Sequence, residues 1–129
     1  MAKSNSKSGQ IPLVLPIEAA TSRDDLLEGN SNQLAVDLID TWPNWPSNVI
    51  VLAGPVGAGK THLASVWAQL SNATILQMNE LAEHANIAEK HNIVLEDAQS
   101  GSIDEEALFH TFNQAKAHGN SIIITSRTF

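Results

Sequence analysis

The chain alternates between short continuous runs of hydrophobic residues and longer stretches in which hydrophobic residues recur at helical spacing. The continuous runs predict four buried strands, at residues 48–53, 74–78, 92–95 and 121–125. The helical spacing predicts helices from Asn30, from about Lys60, over an alanine-rich stretch from 80 to 89, and over 104–118. Strands without strict alternation that are separated by helices are typical of a parallel sheet covered on both faces. We therefore predict an α/β fold with a mainly parallel sheet between layers of helix.

Local signals mark the ends of these helices. Asn30 and Gln33 have the spacing of a capping box, and the tryptophan–proline run at 42–46 ends the helix that they begin. Asn79 is expected to cap the alanine-rich helix, and Gly119 to end the last one. The residues expected to face the sheet are Leu34, Leu38 and Ile39 in the first helix and Leu108, Phe109, Phe112 and Ala115 in the last.

The first residues of the chain differ from the rest. Residues 1–9 are small and polar, which is typical of a disordered terminus. Residues 10–17 are apolar but contain Pro12 and Pro16, which exclude a helix or a central strand. We predict a flexible tail over 1–20, extended in its apolar part, and a single domain over 21–129.

Composition and charge narrow the classes of function. The 129 residues are 43% hydrophobic and 16% charged, as in a globular domain. The absence of cysteine excludes disulfides and thiolate metal sites. The formal charge is −7, and apart from the tail lysines Lys3 and Lys7 the chain has 5 basic and 14 acidic residues. Because duplex DNA is bound mainly through Lys and Arg, and because no apolar run is long enough to span a membrane, we predict a cytoplasmic protein that does not bind DNA or membrane directly.

A glycine-rich segment joins the first predicted strand to the helix near Lys60, and it fits the pattern G-x-x-x-x-G-K-[ST]. Such a loop turns successive backbone N–H groups towards phosphate oxygens, and the following helix presents its positive end to the same anion. Lys60 is expected to reach the β- and γ-phosphates and the Thr61 hydroxyl to bind Mg²⁺. The predicted phosphate-binding residues are Gly54, Pro55, Val56, Gly57, Ala58, Gly59, Lys60 and Thr61.

Polar residues follow two other predicted strands. Glu96 is expected to hold Mg²⁺, directly or through water, and Asp97 to orient an attacking water. Thr125 and Ser126 are expected beside the γ-phosphate, where a hydroxyl could sense it or hold the water. The acidic pair has the longer side chain first, the reverse of the usual order. Because Mg²⁺ demands near-ideal geometry, we expect nucleotide binding with little hydrolysis; a solvated strand end is the alternative interpretation of the pair.

Several segments, in the right order and spacing, together resemble the AAA+ module of the bacterial replication initiator DnaA. They are GPVGAGKTHLA (54–64), IVLEDAQ (93–99), EEALFHTFN (105–113) and IIITSR (122–127). Residues 28–32 also resemble the family's G-x-[SN]-N entry to the nucleotide site, which implies a role for Asn32 and places Leu26 and Leu27 near the adenine. The resemblance covers about residues 22–127. It implies a P-loop NTPase fold, an αβα sandwich with ATP or ADP and Mg²⁺ as cofactors.

Within this group the chain is most similar to the Hda family, regulatory inactivators of DnaA that begin with a Q-L-x-L-x-L-like motif for the β sliding clamp of DNA polymerase III. The residues that match this motif are Gln10, Ile11, Leu13 and Leu15. An extended peptide of this kind can lay its apolar side chains into a partner's pocket. The resemblance implies the clamp and DnaA as partners, DNA only through the clamp, and ATP hydrolysis promoted on DnaA. The alternative is that this strip packs on its own domain or on a second copy.

The family's arginine finger and helical lid lie beyond the last predicted strand. We therefore expect either a fragment or a shortened protein, and Arg127 is not a substitute finger. The apolar run 122–124 leaves self-association through an exposed sheet edge open. Two other functions remain: a helicase-loader-like AAA+ protein, and a small P-loop ATPase or kinase with its own substrate.

Overall fold

A computed structural model of the protein describes residues 12–17, 30–55, 58–96 and 103–127. For residues 30–32 it describes the backbone alone. The strands in these ranges are β1 (Leu13–Pro16), β2 (Val49–Ala53), β3 (Thr74–Gln77), β4 (Ile93–Glu96) and β5 (Ile122–Ser126). The α-helices are α1 (Asn30–Thr41), α2 (Lys60–Ser71) and α3 (Glu105–His118). Two 3₁₀ helices, Met78–His84 and Ile87–Glu89, lie between β3 and β4.

The five strands form one sheet in the order β1-β2-β5-β4-β3, and every neighbouring pair is parallel. Parallel pairing requires each connection between consecutive strands to cross over the sheet. Each of these connections contains a helical segment. The predicted α/β class with a parallel sheet is therefore confirmed. Because all strands run the same way, their carboxyl ends meet along one edge.

Two hydrophobic clusters show that the middle of the sheet is covered on both faces, since neighbouring residues of β2, β5 and β4 belong to different clusters. Ile50, Val94 and Ile123 pack with α1 and α2 on one face. Their neighbours, among them Ile93 and Ile122, pack with α3 and the 3₁₀ helices on the other. The central strands are therefore buried on both sides, which explains their continuous apolar runs.

The fold differs from the expectations in its details. Leu13–Pro16 pairs with β2 as an edge strand, so this part of the predicted tail belongs to the sheet. The stretch predicted as an alanine-rich helix forms 3₁₀ turns, in which Met78 and Leu81, three residues apart, are both buried. The cap of the first turn is Gln77, with the side chain of Glu80 accepting from its N–H at 3.0 Å, rather than Asn79.

Helix faces also differ in part. Leu34 is 60% exposed and Phe109 is 65% exposed, although both were expected to face the sheet. Ala35 and Thr111, each one helical step away from the expected line, are buried instead. Thr111 can lie there because its hydroxyl donates to the Ala107 carbonyl at 2.8 Å. The buried faces of α1 and α3 are therefore shifted from those that hydrophobicity alone predicts.

Candidate functional site

The candidate site lies at the carboxyl edge of the sheet, where β2, β5 and β4 end side by side. Ligands of open parallel sheets bind at this edge. β2 ends at Ala53 and α2 begins at Lys60, so the glycine-rich segment has a strand before it and a helix after it. The N-terminus of the 12-residue helix α2 thus opens at the end of the sheet.

Lys60 is the central side chain of this edge. It is only 8% exposed, and its Nζ donates to the carbonyl oxygens of Gly54 at 2.6 Å and Pro55 at 3.0 Å. Burial, and to a smaller degree the charge of Arg127, lower the pKa of Lys60 below its ordinary value. A buried ammonium that donates to neutral carbonyls is costly, and an anion at this point would relieve that cost.

The backbone around Lys60 is held in a compact turn. Gly59 has φ 95°, a left-handed conformation that favours glycine, and its carbonyl accepts from Leu63 N–H at 3.0 Å. Ala58 is buried, and its N–H donates to the Pro55 carbonyl at 3.2 Å. The chain therefore curls tightly before α2 begins, as a phosphate-binding loop requires.

The amino-terminal strand forms one wall of this loop. Ile17, directly after β1, is 1% exposed, and its N–H donates to the Ala53 carbonyl at 2.6 Å. A Cβ on Gly54 would collide with the Ile17 carbonyl oxygen, so the two backbones can approach this closely only because residue 54 is glycine. Sequence analysis missed Ile17, since nothing in an apolar tail indicates that it reaches the loop.

The hydroxyl residues of β5 lie beside the same loop. Ser126 is paired with Ala53 in the sheet, and its carbonyl accepts from Gly54 N–H at 3.0 Å. Thr125 is opposite Leu52, and both hydroxyl residues are buried. Arg127 follows directly, close enough to Lys60 to act on its pKa, and it was not predicted as a site residue.

Glu96 and Thr61 are the predicted magnesium ligands in the described part of the chain. Glu96 is the half-buried last residue of β4, one step beyond Leu95, which pairs with Ile124 of the neighbouring strand. Thr61 is exposed in the first turn of α2. No group of three His, Asp or Glu side chains among the described residues could hold a metal ion. A carboxylate and a hydroxyl fit Mg²⁺ when phosphate oxygens and water supply the other ligands.

Several predicted site residues lie outside the described ranges: Gln10, Ile11, Leu26, Leu27, Val56, Gly57 and Asp97. Asn32 lies in α1, but its side chain is likewise outside the described part. The structure thus brings together Lys60, Thr125, Ser126 and the ends of the glycine-rich segment, and it places Glu96 on the adjacent strand end. These other predictions remain predictions.

Leu13 and Leu15, two of the residues predicted to bind a partner, lie in β1. Both are half-buried and pack against the cluster that contains Ile39, Ile50 and Leu52. In this structure the described part of the strip, residues 12–15, therefore packs on its own domain, which is the alternative that the sequence left open.

Comparisons of the chain with protein-family models, with curated proteins and with solved structures found no match. Among the residues that the structure describes, no helix combines the length and the apolar character needed to cross a membrane.

Proposed function

We propose that residues 54–61 bind the phosphates of an adenine nucleotide, ATP or ADP, and that the chain is the α/β part of a P-loop NTPase of the AAA+ type. The observation that supports this best is the buried Lys60 ammonium at the start of α2, which donates to two neutral backbone carbonyls among the described residues. A β- or γ-phosphate oxygen offers Lys60 a charged acceptor in place of these neutral ones. The positive end of α2 favours the same anion.

The other residues of this edge have complementary roles in the proposal. The hydroxyl of Thr61 and the carboxylate of Glu96 hold Mg²⁺, which supplies charge neutralisation at the phosphates when bound. Thr125 and Ser126 lie at the end of β5, where a hydroxyl contacts the γ-phosphate or positions a water. Asp97 orients that water. Because the acidic pair is in the reverse of the usual order, we propose binding with little turnover by the chain alone.

We further propose that the chain belongs to the Hda-like, DnaA-related regulators of chromosome replication in the bacterial cytoplasm. The support is the combined order and spacing of the motifs at 54–64, 93–99, 105–113 and 122–127. In this proposal residues 10–15 bind the β sliding clamp, and DNA is reached only through the clamp. The bound protein promotes ATP hydrolysis on DnaA by an arginine supplied in trans.

Calorimetry with Mg²⁺ and ADP or ATP tests the nucleotide site. We expect the native chain to bind and Lys60→Ala to lose binding. Lys90→Ala is the matched control, because this substitution removes the same charge from an exposed position. Lys90 lies shortly before the start of β4, at the opposite edge of the sheet from the candidate site. Equal affinity of native chain and Lys60→Ala would contradict the phosphate-binding role.

A pull-down with the purified β clamp tests the partner. We expect Gln10→Ala combined with Leu13→Ala to abolish binding, and Val14→Ala, at an exposed position of the same strand, to keep it. Unchanged binding by the double variant would exclude the clamp motif. Binding of a replicative helicase independent of 10–15 would favour the helicase-loader alternative, and steady turnover of ATP by the isolated chain would favour an enzyme with its own substrate.

A further inference from the structure

We propose that β1 is an exchangeable strand, which either pairs with β2 or binds in a groove of the partner but cannot do both at once. When the partner binds residues 10–15, the wall of the phosphate loop is loosened and nucleotide binding is weakened. This inference rests on the proposed function, since the partner is the β clamp and the loop is the nucleotide site. It assigns to the tail a regulatory role over that site.

β1 is the least covered strand of the described sheet. It has four residues, lies at one edge and pairs with β2 alone. Its leucines are half-buried, whereas Val14 is 47% exposed and Pro16 is exposed too. By contrast, all five residues of β5 are buried. Proline has no N–H, so Pro12 and Pro16 donate no hydrogen bond to the sheet. Removing β1 therefore breaks the pairing with one neighbouring strand and takes no fully buried side chain of β1 itself out of the core.

The side chains that hold β1 are those that a partner would use. Leu13 and Leu15 pack on the core beside Ile39 and Leu52. A strand bound in a groove inserts alternate side chains, and here those are the same two leucines. One set of leucines cannot be buried in two places, so the two associations are mutually exclusive.

Ile17 transmits the exchange to the loop. It is two residues after Leu15, and an extended chain covers at most about 3.6 Å per residue, so a partner that holds Leu15 more than about 7 Å from the present position of Ile17 must also withdraw Ile17. Ile17 is fully buried near Ala58, and its backbone lies against Ala53 and Gly54. When Ile17 leaves, the loop loses this wall, and Gly54 loses its backbone contact with the Ile17 carbonyl.

The chain allows a direct test because it contains no cysteine. Val14 is opposite Val51 in the parallel pair, and neighbouring strands lie about 4.8 Å apart, within the Cα separation that a disulfide accepts. The variant Val14→Cys/Val51→Cys, oxidised, locks β1 on β2, and reduced it releases the strand. Single Val14→Cys, treated in the same two ways, is the control. Neither position matches the clamp motif.

Clamp affinity and Mg–ADP affinity are measured on both redox forms of the full chain. We expect the reduced form to bind the clamp and the oxidised form to bind it at least about tenfold more weakly, with Mg–ADP affinity retained. Because linkage is reciprocal, saturating clamp should weaken Mg–ADP binding to the reduced form by about five- to tenfold and leave the oxidised form unchanged.

Equal clamp affinity of the oxidised and reduced forms would overturn the exchange, even though clamp binding itself would stand. Clamp binding that leaves Mg–ADP affinity of the reduced form unchanged would overturn the coupling to the loop. If neither the native chain nor the reduced variant bound the clamp, the proposed partner would be wrong and the exchange with it. If the native chain did not bind Mg–ADP at all, the proposed nucleotide site would instead be excluded.

Discussion

The carbonyl oxygen of Ile17 lies against the α-carbon of Gly54, in the space that a Cβ at residue 54 would occupy. This contact joins the end of β1 to the first residue of the glycine-rich loop. Gly54 is also fixed on its other side, because its N–H donates to the Ser126 carbonyl at 3.0 Å. Two neighbouring backbones therefore meet at Gly54, and neither can move without altering the entrance to the loop.

Gly54→Ala tests this contact. The added methyl group displaces Ile17, and overpacking of a tight site costs about 1–3 kcal/mol of unfolding free energy. Urea denaturation measures the loss, and calorimetry should show weaker Mg–ADP binding, while release of β1 should strengthen clamp binding. Gly119→Ala is the control: it strains a residue with φ 74°, but no atom lies within 4 Å of its Cβ, so only stability should fall. Unchanged stability of Gly54→Ala would contradict the close approach.

Lys60 predicts a pH dependence of stability. Burial, followed by the charge of Arg127, lowers its pKa from the ordinary 10.5, so the folded protein loses this proton at lower pH than the unfolded chain. Relative to Lys60→Met, the unfolding free energy of the native chain should be lowest near neutral pH and rise as the pH passes through the lowered pKa towards 10.5. Urea titrations of both proteins between pH 7 and about pH 10 measure the difference. A difference that stays constant or falls would show that Lys60 is not desolvated.

Glu96 predicts a magnesium-dependent change of affinity. It is the half-buried last residue of β4, at the sheet edge where we propose that Mg²⁺ binds. Glu96→Gln should lower the affinity for ATP with Mg²⁺ by about tenfold and leave the affinity for ATP in EDTA unchanged. Glu89→Gln, at an exposed residue of the second 3₁₀ helix, is the matched control and should change neither value. Equal loss with and without Mg²⁺ would assign Glu96 a different role.

The tryptophan cluster is expected to stabilise the fold rather than to bind a ligand. Trp67 is fully buried, is stacked on Trp45 at 5.4 Å between ring centroids and meets Trp42 edge-on at 5.9 Å. Trp67→Ala should lower the unfolding free energy by about 3–5 kcal/mol. Val66→Ala, next in sequence but 44% exposed, should change it by less than about 0.5 kcal/mol. A similar small effect of both substitutions in urea denaturation would contradict the packing role.

The sequence predicted the central strands because they are buried on both faces, so that their apolar residues follow one another without alternating polar positions, as in Ile122–Ile124. It also predicted both ends of α3, since Asp104 caps it by accepting from Ala107 N–H and Gly119 ends it in a left-handed conformation. β1 was not predicted, because two prolines in a short apolar segment are equally compatible with a free extended peptide and with an edge strand. Only the neighbouring strand decides between them.

The candidate site shows the same limit. The pattern of Gly54 to Thr61 predicts which residues turn and which side chain reaches an anion, because the motif is local in sequence. The nearness of Ile17 and Arg127 to the loop could not be predicted, since Ile17 directly follows β1 near the start of the chain and Arg127 directly follows β5. Such long-range contacts depend on strand order, which periodicity does not contain. To predict that Arg127 lies near the loop, one would have had to know that β5 lies next to β2.

Hydrogen exchange of the backbone amides with and without Mg–ADP tests the central claim most directly. If the glycine-rich segment holds the phosphates, its N–H groups and those of the first turn of α2, over residues 54–63, should exchange more slowly when nucleotide is present. Lys60→Ala should show no such change at the same nucleotide concentration. Slower exchange elsewhere in the chain, with residues 54–63 unaffected, would contradict the account.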